Sequence, residues 1–315
     1  MYSETMDKHI KQYARSLGFH MVGISPATRL EREKEHLDAW LMKGYEADLA
    51  YMKKHADRRT DACQSLPGAK SIICLAMNYY QKRGDQPGDE ARAKVARYAW
   101  GKDYHIVIEK KLKKIRRFII ANAGKALSKK DFKLYCDAGP ILERAHAVRA
   151  GLGFIGKNTM LITPRYGSWV FLAEIITTLS LPYDMPFNKE MGCGDCTRCM
   201  DACPVKAIVR PYRIDANKCI AYQTIEKKDS VEGRTHGFVF GCDVCQEVCP
   251  HNCRAQQTDT KEFLKHRAGQ SLNVQRILAM SEEEFVKAYP ASPIKRAGLK
   301  KLKNTLRTMV SSNKN

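Results

Sequence analysis

The cysteine-rich stretch CGDCTRCMDACP, residues 193–204, decides how this sequence is interpreted. Its spacing is Cys193-x2-Cys196-x2-Cys199-x3-Cys203-Pro204. In bacterial ferredoxins this run lets three closely spaced thiolates bind one [4Fe–4S] cluster, while the fourth thiolate, followed by proline, reaches a second cluster. Structural zinc sites usually use two separated CxxC pairs, so the run favours iron–sulfur clusters over zinc.

A second, interrupted half of the pattern follows. Cys219 is separated by 22 residues from the stretch CDVCQEVCP, residues 242–250. The eight cysteines predict two [4Fe–4S] clusters whose ligands cross over between the halves. The first cluster is expected on Cys193, Cys196, Cys199 and Cys249, and the second on Cys203, Cys219, Cys242 and Cys245.

The composition is that of a folded protein in a reducing compartment. The chain has 315 residues, 44% of them apolar and 28% charged, which excludes a disordered chain and leaves room for two domains. It has no apolar run of membrane-spanning length and no secretory leader at its start, so we expect a cytoplasmic protein. Its cysteines are therefore not expected to form disulfides. Cys63, Cys74 and Cys136 are interpreted as core thiols, and Cys253 as a thiol just outside the cluster region.

The net charge of +20 suggests a polyanionic partner, although lysine-rich helices can also simply solvate a surface. The most polarised stretch is residues 286–315, with eight Lys or Arg and no Asp or Glu. Two groups of cations are candidates for phosphate contacts. They are Lys110, Lys111, Lys113, Lys114, Arg116 and Arg117 in a long basic helix, and Lys295, Arg296, Lys300, Lys301 and Lys303 in the tail.

Helical and strand patterns alternate over the first part of the chain, which predicts a layered α/β or α+β domain, and of these two classes we predict α+β. Helices are predicted at 4–17, 28–43, 103–127 and 141–150, and strands at 19–25, 69–80, 132–136 and 168–178. Two prolines and polar residues at 181–192 mark a boundary. We predict three parts: a catalytic domain at 1–182, a two-cluster domain at 183–256 and a basic helical segment at 257–315.

The first domain shows no GxGxxG turn and no Walker A run, so neither a Rossmann site nor a P-loop is supported. It carries instead a dense block at 135–169, in which Asp137 follows a predicted strand. A residue at that position is presented to a cleft, or forms an Asx-turn that caps the next helix. Both interpretations of Asp137 remain open from the residues alone.

Six segments together resemble epoxyqueuosine reductases, the cobalamin-dependent iron–sulfur enzymes that complete queuosine in tRNA. They are RYAWGKDYH (97–105), DAGP (137–140), ERAHAVRAGLGFIGKNTMLITPRYGSWVFLAEI (143–175), CGDCTRCMDACP (193–204), KCIAYQTIE (218–226) and SPIKRAGLKKLK (292–303). The resemblance covers nearly the whole chain. It departs from the usual pattern at His251, Ala221, Val205 and Lys206, none of which is a predicted ligand.

The resemblance implies a nitroreductase-like cobalamin-binding layered domain, a two-[4Fe–4S] ferredoxin-like domain and a short helical C-terminal segment. It implies reduction of epoxyqueuosine to queuosine at the wobble position of tRNA, the last step of queuosine biosynthesis. Asp137 is expected to donate a proton, and to need burial beside the corrin to stay protonated. The cobalamin and substrate pocket is expected to include Arg59, Tyr98, Asp137, Lys157, Asn158, Trp169 and Thr224.

Further expectations concern cofactors and partners. No DxHxxG signature is present, so cobalamin is expected in the base-off form. The expected partners are a tRNA anticodon stem-loop carrying epoxyqueuosine and a low-potential donor such as a flavodoxin or ferredoxin. The chain is expected to be a monomer and to need no membrane. The alternatives are a reductive dehalogenase-like corrinoid reductase and a ferredoxin-like electron carrier.

Overall fold

The computed structural model describes residues 3–84, 92–124, 126–187, 192–228 and 231–312. The helices are α1 Ser3–Ser16, α2 Glu31–Leu41, α3 Ala50–Lys54, α4 Ala56–Thr60, α5 Tyr104–Asn122, α6 Glu143–Arg149, α7 Arg198–Ala202, α8 Val244–Glu247, α9 Lys261–Leu264, α10 Val274–Ala279, α11 Glu282–Ala288 and α12 Gly298–Ser312. The strands are β1 Met21–Pro26, β2 Ser71–Asn78, β3 Arg92–Val95, β4 Phe132–Tyr135, β5 Phe154–Ile155, β6 Leu161–Ile162, β7 Val170–Thr177, β8 Ile208–Arg210, β9 Arg213–Ile214, β10 Phe238–Phe240 and β11 Ser271–Asn273.

The main sheet has the strand order β1-β2-β7-β4, and each neighbouring pair is antiparallel. An antiparallel sheet with helices packed on it is an α+β arrangement, so the predicted class is confirmed. The four predicted helices and four predicted strands of the first 180 residues are all present, although their ends differ. Helix α5 stops at Asn122 instead of residue 127, because Gly124 adopts a left-handed backbone (φ 63°) that ends a helix.

Both faces of the sheet are covered. Successive side chains of a strand point to opposite faces, and β2 is apolar on both. Ile73, Leu75 and Met77 pack with α1 and α5, whereas Ile72, Cys74 and Ala76 pack with α6. The result is a three-layer domain in which α5 and α6 lie on opposite sides of the central strands.

A second, three-stranded sheet joins distant parts of the chain. Its order is β10-β3-β11, with β3 parallel to β10 and antiparallel to β11. Trp100, Phe240 and Leu272 share one buried core with residues of α10, α11 and α12. The C-terminal segment therefore packs against residues of both preceding segments, and the three domain boundaries stay a prediction.

Among the described residues, no helix combines the length and the apolar character needed to cross a membrane.

Candidate functional site

Asp137 follows β4 in the turn DAGP, and its backbone is left-handed, with φ 63°. Its carboxyl group accepts a hydrogen bond of 2.5 Å from the Tyr104 hydroxyl, and its backbone N–H donates one of 2.7 Å to Glu143 Oε1. Its side chain therefore does not form the alternative Asx-turn cap, and α6 begins after Leu142 with no side-chain cap at all. A non-glycine residue held in this conformation is typical of functional loops.

The same turn is packed tightly. A Cβ atom at Gly139 would lie 2.3 Å from the Tyr135 ring, so only glycine fits there. The Gly139 carbonyl accepts a hydrogen bond from Arg59 at 3.4 Å. The turn thus presents the Asp137 carboxyl group outward, where 57% of the side chain is exposed. The expected burial of Asp137 is not provided by the described chain and is left to a bound ligand.

The first turn of α5 forms one wall beside Asp137. Asp103 caps this helix by accepting the His105 backbone N–H at 3.0 Å, and it also contacts His105 Nδ1 at 3.0 Å. Burial opposes ionisation of Asp103, but the hydrogen bonds from His105 and the charge of Arg296 hold its pKa below the usual value. Burial, followed by the charge of Asp137, raises the pKa of Tyr104, so its hydroxyl remains a donor.

Arg296 reaches this wall from the C-terminal segment. Its guanidinium donates to the Tyr104 hydroxyl at 3.3 Å and lies over the Tyr104 ring, 5.3 Å from the centroid. It also lies 3.4 Å from His105 Nε2 and 3.8 Å from Asp103 Oδ2. A tail cation predicted for phosphate contacts thus lies beside the Asp137 site.

Four further side chains lie near Asp137, those of Tyr51, Arg59, Tyr98 and Glu226. The Arg59 guanidinium lies 5.4 Å from the Tyr51 ring centroid. Burial, followed by the charge of Asp137, raises the pKa of Glu226, while Arg296 opposes that shift. Carboxyl groups, guanidinium groups and phenols thus meet around Asp137.

These residues fit an organic cofactor with amide or phosphate acceptors. Arg59 Nε is buried and has no hydrogen-bond partner among the described residues, which leaves a donor for a ligand. The tyrosine rings provide flat apolar surface beside it. A free buried donor beside aromatic rings is therefore compatible with a polar ring system such as a corrin.

The four cysteines predicted for the first cluster line one cavity. It is bounded by Cys193, Cys196, Cys199 and Cys249 together with Lys157, Asn158, Ile162, Pro250 and His251. Convergence of four thiols on one apolar cavity suits a [4Fe–4S] cluster, whose charge would stabilise their thiolates. In the described chain, no group of three or more His, Cys, Asp or Glu is placed to hold a single metal ion.

The other four cysteines form a second group. Burial raises the pKa of Cys219, backbone hydrogen bonds from Tyr222 and Ala221 oppose that rise, and the nearby Cys203 adds to it. Burial raises the pKa of Cys242 to about 12, with Cys219 and Cys203 among the groups that act on it. Thiols this close and this buried fit a second cluster. Gly241, next to Cys242, packs on the Tyr98 ring, so this group lies on the side of the Asp137 cleft.

Other predicted pocket residues lie away from Asp137. The Lys157 backbone N–H donates to Cys193 Sγ at 3.4 Å, and Asn158 donates to the Cys245 carbonyl at 3.3 Å, so both contact the cysteine region. Trp169 is 1% exposed, between Tyr80 and Arg97. Thr224 is fully buried and accepts the Gly241 N–H at 3.0 Å. Their role toward cobalamin stays a prediction.

The four cysteines outside the two groups differ in their burial. Cys74 and Cys136 are buried, as expected of core thiols. Cys63 is exposed, so the expectation of a core thiol is wrong there, because the short turn after α4 leaves its side chain at the surface. Cys253 is also exposed and lies just beyond Cys249.

Two of the cations suspected of binding phosphate are used inside the chain. The Lys111 ammonium group donates to the Leu17 carbonyl, and that of Lys301 donates to the Lys227 carbonyl at 2.6 Å. Lys301 is only 7% exposed. Lys300, Lys303 and Arg307 instead line a groove between α11 and α12. The groove is where the tail offers positive charge to a partner.

Two family models match the chain. One, described as "Epoxyqueuosine reductase QueG, DUF1730", matches residues 59–138. The other, described as "4Fe-4S double cluster binding domain", matches residues 192–252.

Curated relatives match over nearly their whole length. An epoxyqueuosine reductase of Cyclobacterium marinum is 42% identical over 301 residues, which covers 93% of this chain and 94% of the relative. One of Gloeobacter violaceus is 40% identical over 315 residues, which covers 96% of this chain and 95% of the relative. The chain belongs to the epoxyqueuosine reductase family. The predicted family and the predicted oxidoreductase are confirmed.

Solved epoxyqueuosine reductases share the fold. A crystal structure with an epoxyqueuosine-modified tRNA-Tyr stem loop matches with a TM-score of 0.86 and 30% identity, over 98% of this chain and 81% of that chain. The enzyme from Bacillus subtilis, in a structure described as having an aspartate catalytic loop swung out of the active site, matches with a TM-score of 0.85, 30% identity and the same coverage.

Sequence reasoning missed several residues of this epoxyqueuosine reductase site. Tyr104, Glu143 and Glu226 had no assigned role, and Arg296 was assigned to RNA. All four lie inside the segments that resemble the family, 97–105, 143–175, 218–226 and 292–303. The sequence could have drawn attention to these residues because each lies in a segment that resembles the family. It could not show which of their side chains meet at Asp137.

Proposed function

We propose that this chain reduces epoxyqueuosine to queuosine at the wobble position of tRNA, with Asp137 as the proton donor. The observation that carries the proposal is the Asp137 carboxyl group, held at the Tyr104 hydroxyl in an open cleft beside the second group of thiols. Conversion of an epoxide to an alkene takes two electrons, and the oxygen leaves as water after two protonations. The site must therefore supply both electrons and protons.

Delivery of the electrons requires redox cofactors, and the residues of this chain are suited to hold them. We assign one [4Fe–4S] cluster to Cys193, Cys196, Cys199 and Cys249 and a second to Cys203, Cys219, Cys242 and Cys245. A base-off cobalamin bound in the cleft beside Tyr98 and Arg59 supplies strongly reducing chemistry at the substrate carbon. An external low-potential donor, of the flavodoxin or ferredoxin kind, refills the clusters.

The chain's own residues handle the proton. The Asp137 carboxyl group, when protonated, is placed to give its proton to the epoxide oxygen. The Tyr104 hydroxyl stabilises the carboxylate that remains, because it donates to Asp137 Oδ2.

The proposed partner is tRNA, and the positive charge of this chain supports that choice. A related enzyme was crystallised with an epoxyqueuosine-modified stem loop, and the basic groove of Lys300, Lys303 and Arg307 gives this chain matching charge for RNA phosphates. The modified base must leave the loop to reach Asp137. The proposed active unit is a monomer.

The test is a single-turnover assay with anaerobically reconstituted protein, epoxyqueuosine-tRNA and a strong reductant. Mass spectrometry of the digested tRNA should show loss of one oxygen atom from the modified base. Asp137→Asn should abolish this loss while iron content and the cobalamin absorption spectrum stay unchanged. Unreacted epoxyqueuosine with fully loaded wild-type protein would refute the proposed reaction, and full activity of the variant would refute the role of Asp137.

A further inference from the structure

Behind the Asp137 turn lie two carboxyl groups that the proposed mechanism does not use. Glu143 is in the first turn of α6, and Glu174 is in the middle of β7. Glu174 pairs with Cys74 of β2 on one side and with Tyr135 of β4 on the other. Its neighbours Ala173 and Ile175 pack with α1 and α5, so alternation along the strand turns Glu174 toward α6.

Glu174 is an unusual residue for the centre of a sheet. It is fully buried, and neither carboxyl oxygen has a hydrogen-bond partner among the described residues. Burial, followed by the charge of Glu143, raises the pKa of Glu174 well above the usual value. An isolated buried carboxylate is costly, so burial favours the protonated form of Glu174.

Glu143, on α6, is the carboxylate whose charge acts most strongly on Glu174. Glu143 Oε1 accepts the Asp137 N–H at 2.7 Å. Burial, followed by the charge of Asp137, raises the pKa of Glu143, while the hydrogen bond from the Asp137 backbone opposes that rise. The Asp137 turn therefore supplies the donor that stabilises the Glu143 carboxylate.

We propose that Glu143 is a positioning residue for the reaction, whose carboxylate holds the Asp137 turn in place through the Asp137 N–H. The inference rests on the proposed role of Asp137. The turn needs such an anchor, because Asp137 is held in a left-handed conformation and its side chain is largely exposed. The structure of the Bacillus subtilis relative with its aspartate loop swung out is consistent with a turn that needs holding.

Other groups around Glu143 do not replace this contact. The charged and titratable neighbours are Arg144 on α6, Arg59 on α4, Cys136 and Asp137 in the turn, Glu174 on β7 and Cys74 on β2. Arg144 donates to the Thr159 carbonyl, and Arg59 to the Gly139 carbonyl. Cys74 and Cys136 are buried thiols.

The experiment compares Glu143→Gln with Glu174→Gln in the holoenzyme, with Glu31→Gln on exposed α2 as control. A neutral amide is a weaker acceptor than a carboxylate, so Glu143→Gln should lower kcat about 10-fold with KM for the modified stem-loop unchanged. Glu174→Gln matches a protonated carboxyl in shape and keeps a donor, so it should retain wild-type kcat. Equal loss in both glutamine variants, or wild-type kcat in Glu143→Gln, would overturn the proposal.

Two readouts do not depend on turnover. Hydrogen exchange of the peptide 132–142, measured without tRNA, should be faster in Glu143→Gln and unchanged in Glu174→Gln and in the control. The infrared difference between wild type and Glu174→Gln should contain the C=O band of a protonated carboxyl group at neutral pH. Unchanged exchange in Glu143→Gln would reject the anchor even if the protein proved inactive on epoxyqueuosine, which separates this inference from the proposed function.

Discussion

The Asp137 carboxyl group is more than half exposed, yet its position is set by residues from three parts of the chain. Tyr104 comes from the first turn of α5, Glu143 from α6 and Arg296 from the segment before α12. Each contacts either Asp137 itself or the hydroxyl that donates to it. At the scale of the residue, the position of the Asp137 carboxyl group is therefore set by a small polar network.

Tyr104→Phe tests this network. Loss of the hydroxyl removes the hydrogen bond to a charged acceptor, which is worth about 1.5–3 kcal/mol, so turnover should fall about 10- to 100-fold. The modified tRNA should bind with unchanged affinity, measured by filter binding. Tyr13→Phe, at a half-buried tyrosine of α1 that stacks on Phe118 of α5, is the control and should keep wild-type turnover. Full activity of Tyr104→Phe would show that Asp137 works without its donor.

The two short helices of the cysteine region bring the halves of the cluster motif together. Cys199 lies in α7 and Cys245 in α8, and these helices pack against each other. Cys249, which follows α8, thereby reaches the cavity of Cys193 and Cys196. At the scale of the element, helix packing explains how cysteines distant in sequence line one cavity.

Cys249→Ser should remove the first cluster only. Iron content should fall from about eight to about four per chain, because two cubanes hold eight irons and one loses a ligand. Electron paramagnetic resonance of the reduced protein should then show one cluster without magnetic coupling to another. Cys253→Ser, at the neighbouring exposed thiol, should keep all eight irons. Retention of both clusters in Cys249→Ser would contradict the crossed assignment.

Substitution of neighbouring lysines in α12 is expected to have different effects on the protein. The Lys301 ammonium group is buried on the Lys227 carbonyl, so Lys301→Ala should lower the free energy of unfolding by about 1–3 kcal/mol, measured by urea denaturation.

The groove residues Lys300, Lys303 and Arg307, changed together to glutamine, should leave stability unchanged and weaken tRNA binding. The slope of log K against log salt should become shallower by about 2 to 3, since each phosphate contact contributes about 0.7–0.9. An unchanged salt dependence would exclude this groove from the tRNA interface.

The second sheet connects the three parts of the chain. Strand β3 from the first part of the chain pairs with β10 from the cysteine region and with β11 from the C-terminal segment. The core on this sheet contains Trp100, Phe240 and Leu302, one from each part. The basic tail is thus part of the framework that holds Arg296 at the catalytic turn.

A chain that ends at residue 256 should fail to fold cooperatively. It loses β11 and α10–α12, which cover the buried Trp100 and Phe240. Exposure of that core should appear as aggregation, or as dye binding without a cooperative thermal transition. A chain that ends at residue 312 keeps α12 and should melt like the full chain. A soluble short form with a sharp transition would show that the tail folds independently.

The sequence by itself determined the features that depend on residues close together in the chain. Cysteine spacing predicts the two groups of thiols because cluster ligation requires particular residues a few positions apart. Alternation and helical periodicity predict the α+β class because each element must bury one face or both. The segments 97–105 and 137–175 resemble the family closely. They were therefore enough to predict that the chain belongs to this family and that Asp137 is a residue of its site.

Only the tertiary structure decided which of these residues meet. It brings Arg296 to Tyr104, turns Lys301 into the core and sets Glu174 against Glu143. It also places Trp169 and Thr224 inside the core, and Lys157 beside Cys193. These outcomes depend on how helices and strands far apart in the chain pack on one another. A charge or a buried carboxyl group gains its role from the neighbours that packing gives it, and local spacing does not encode those neighbours.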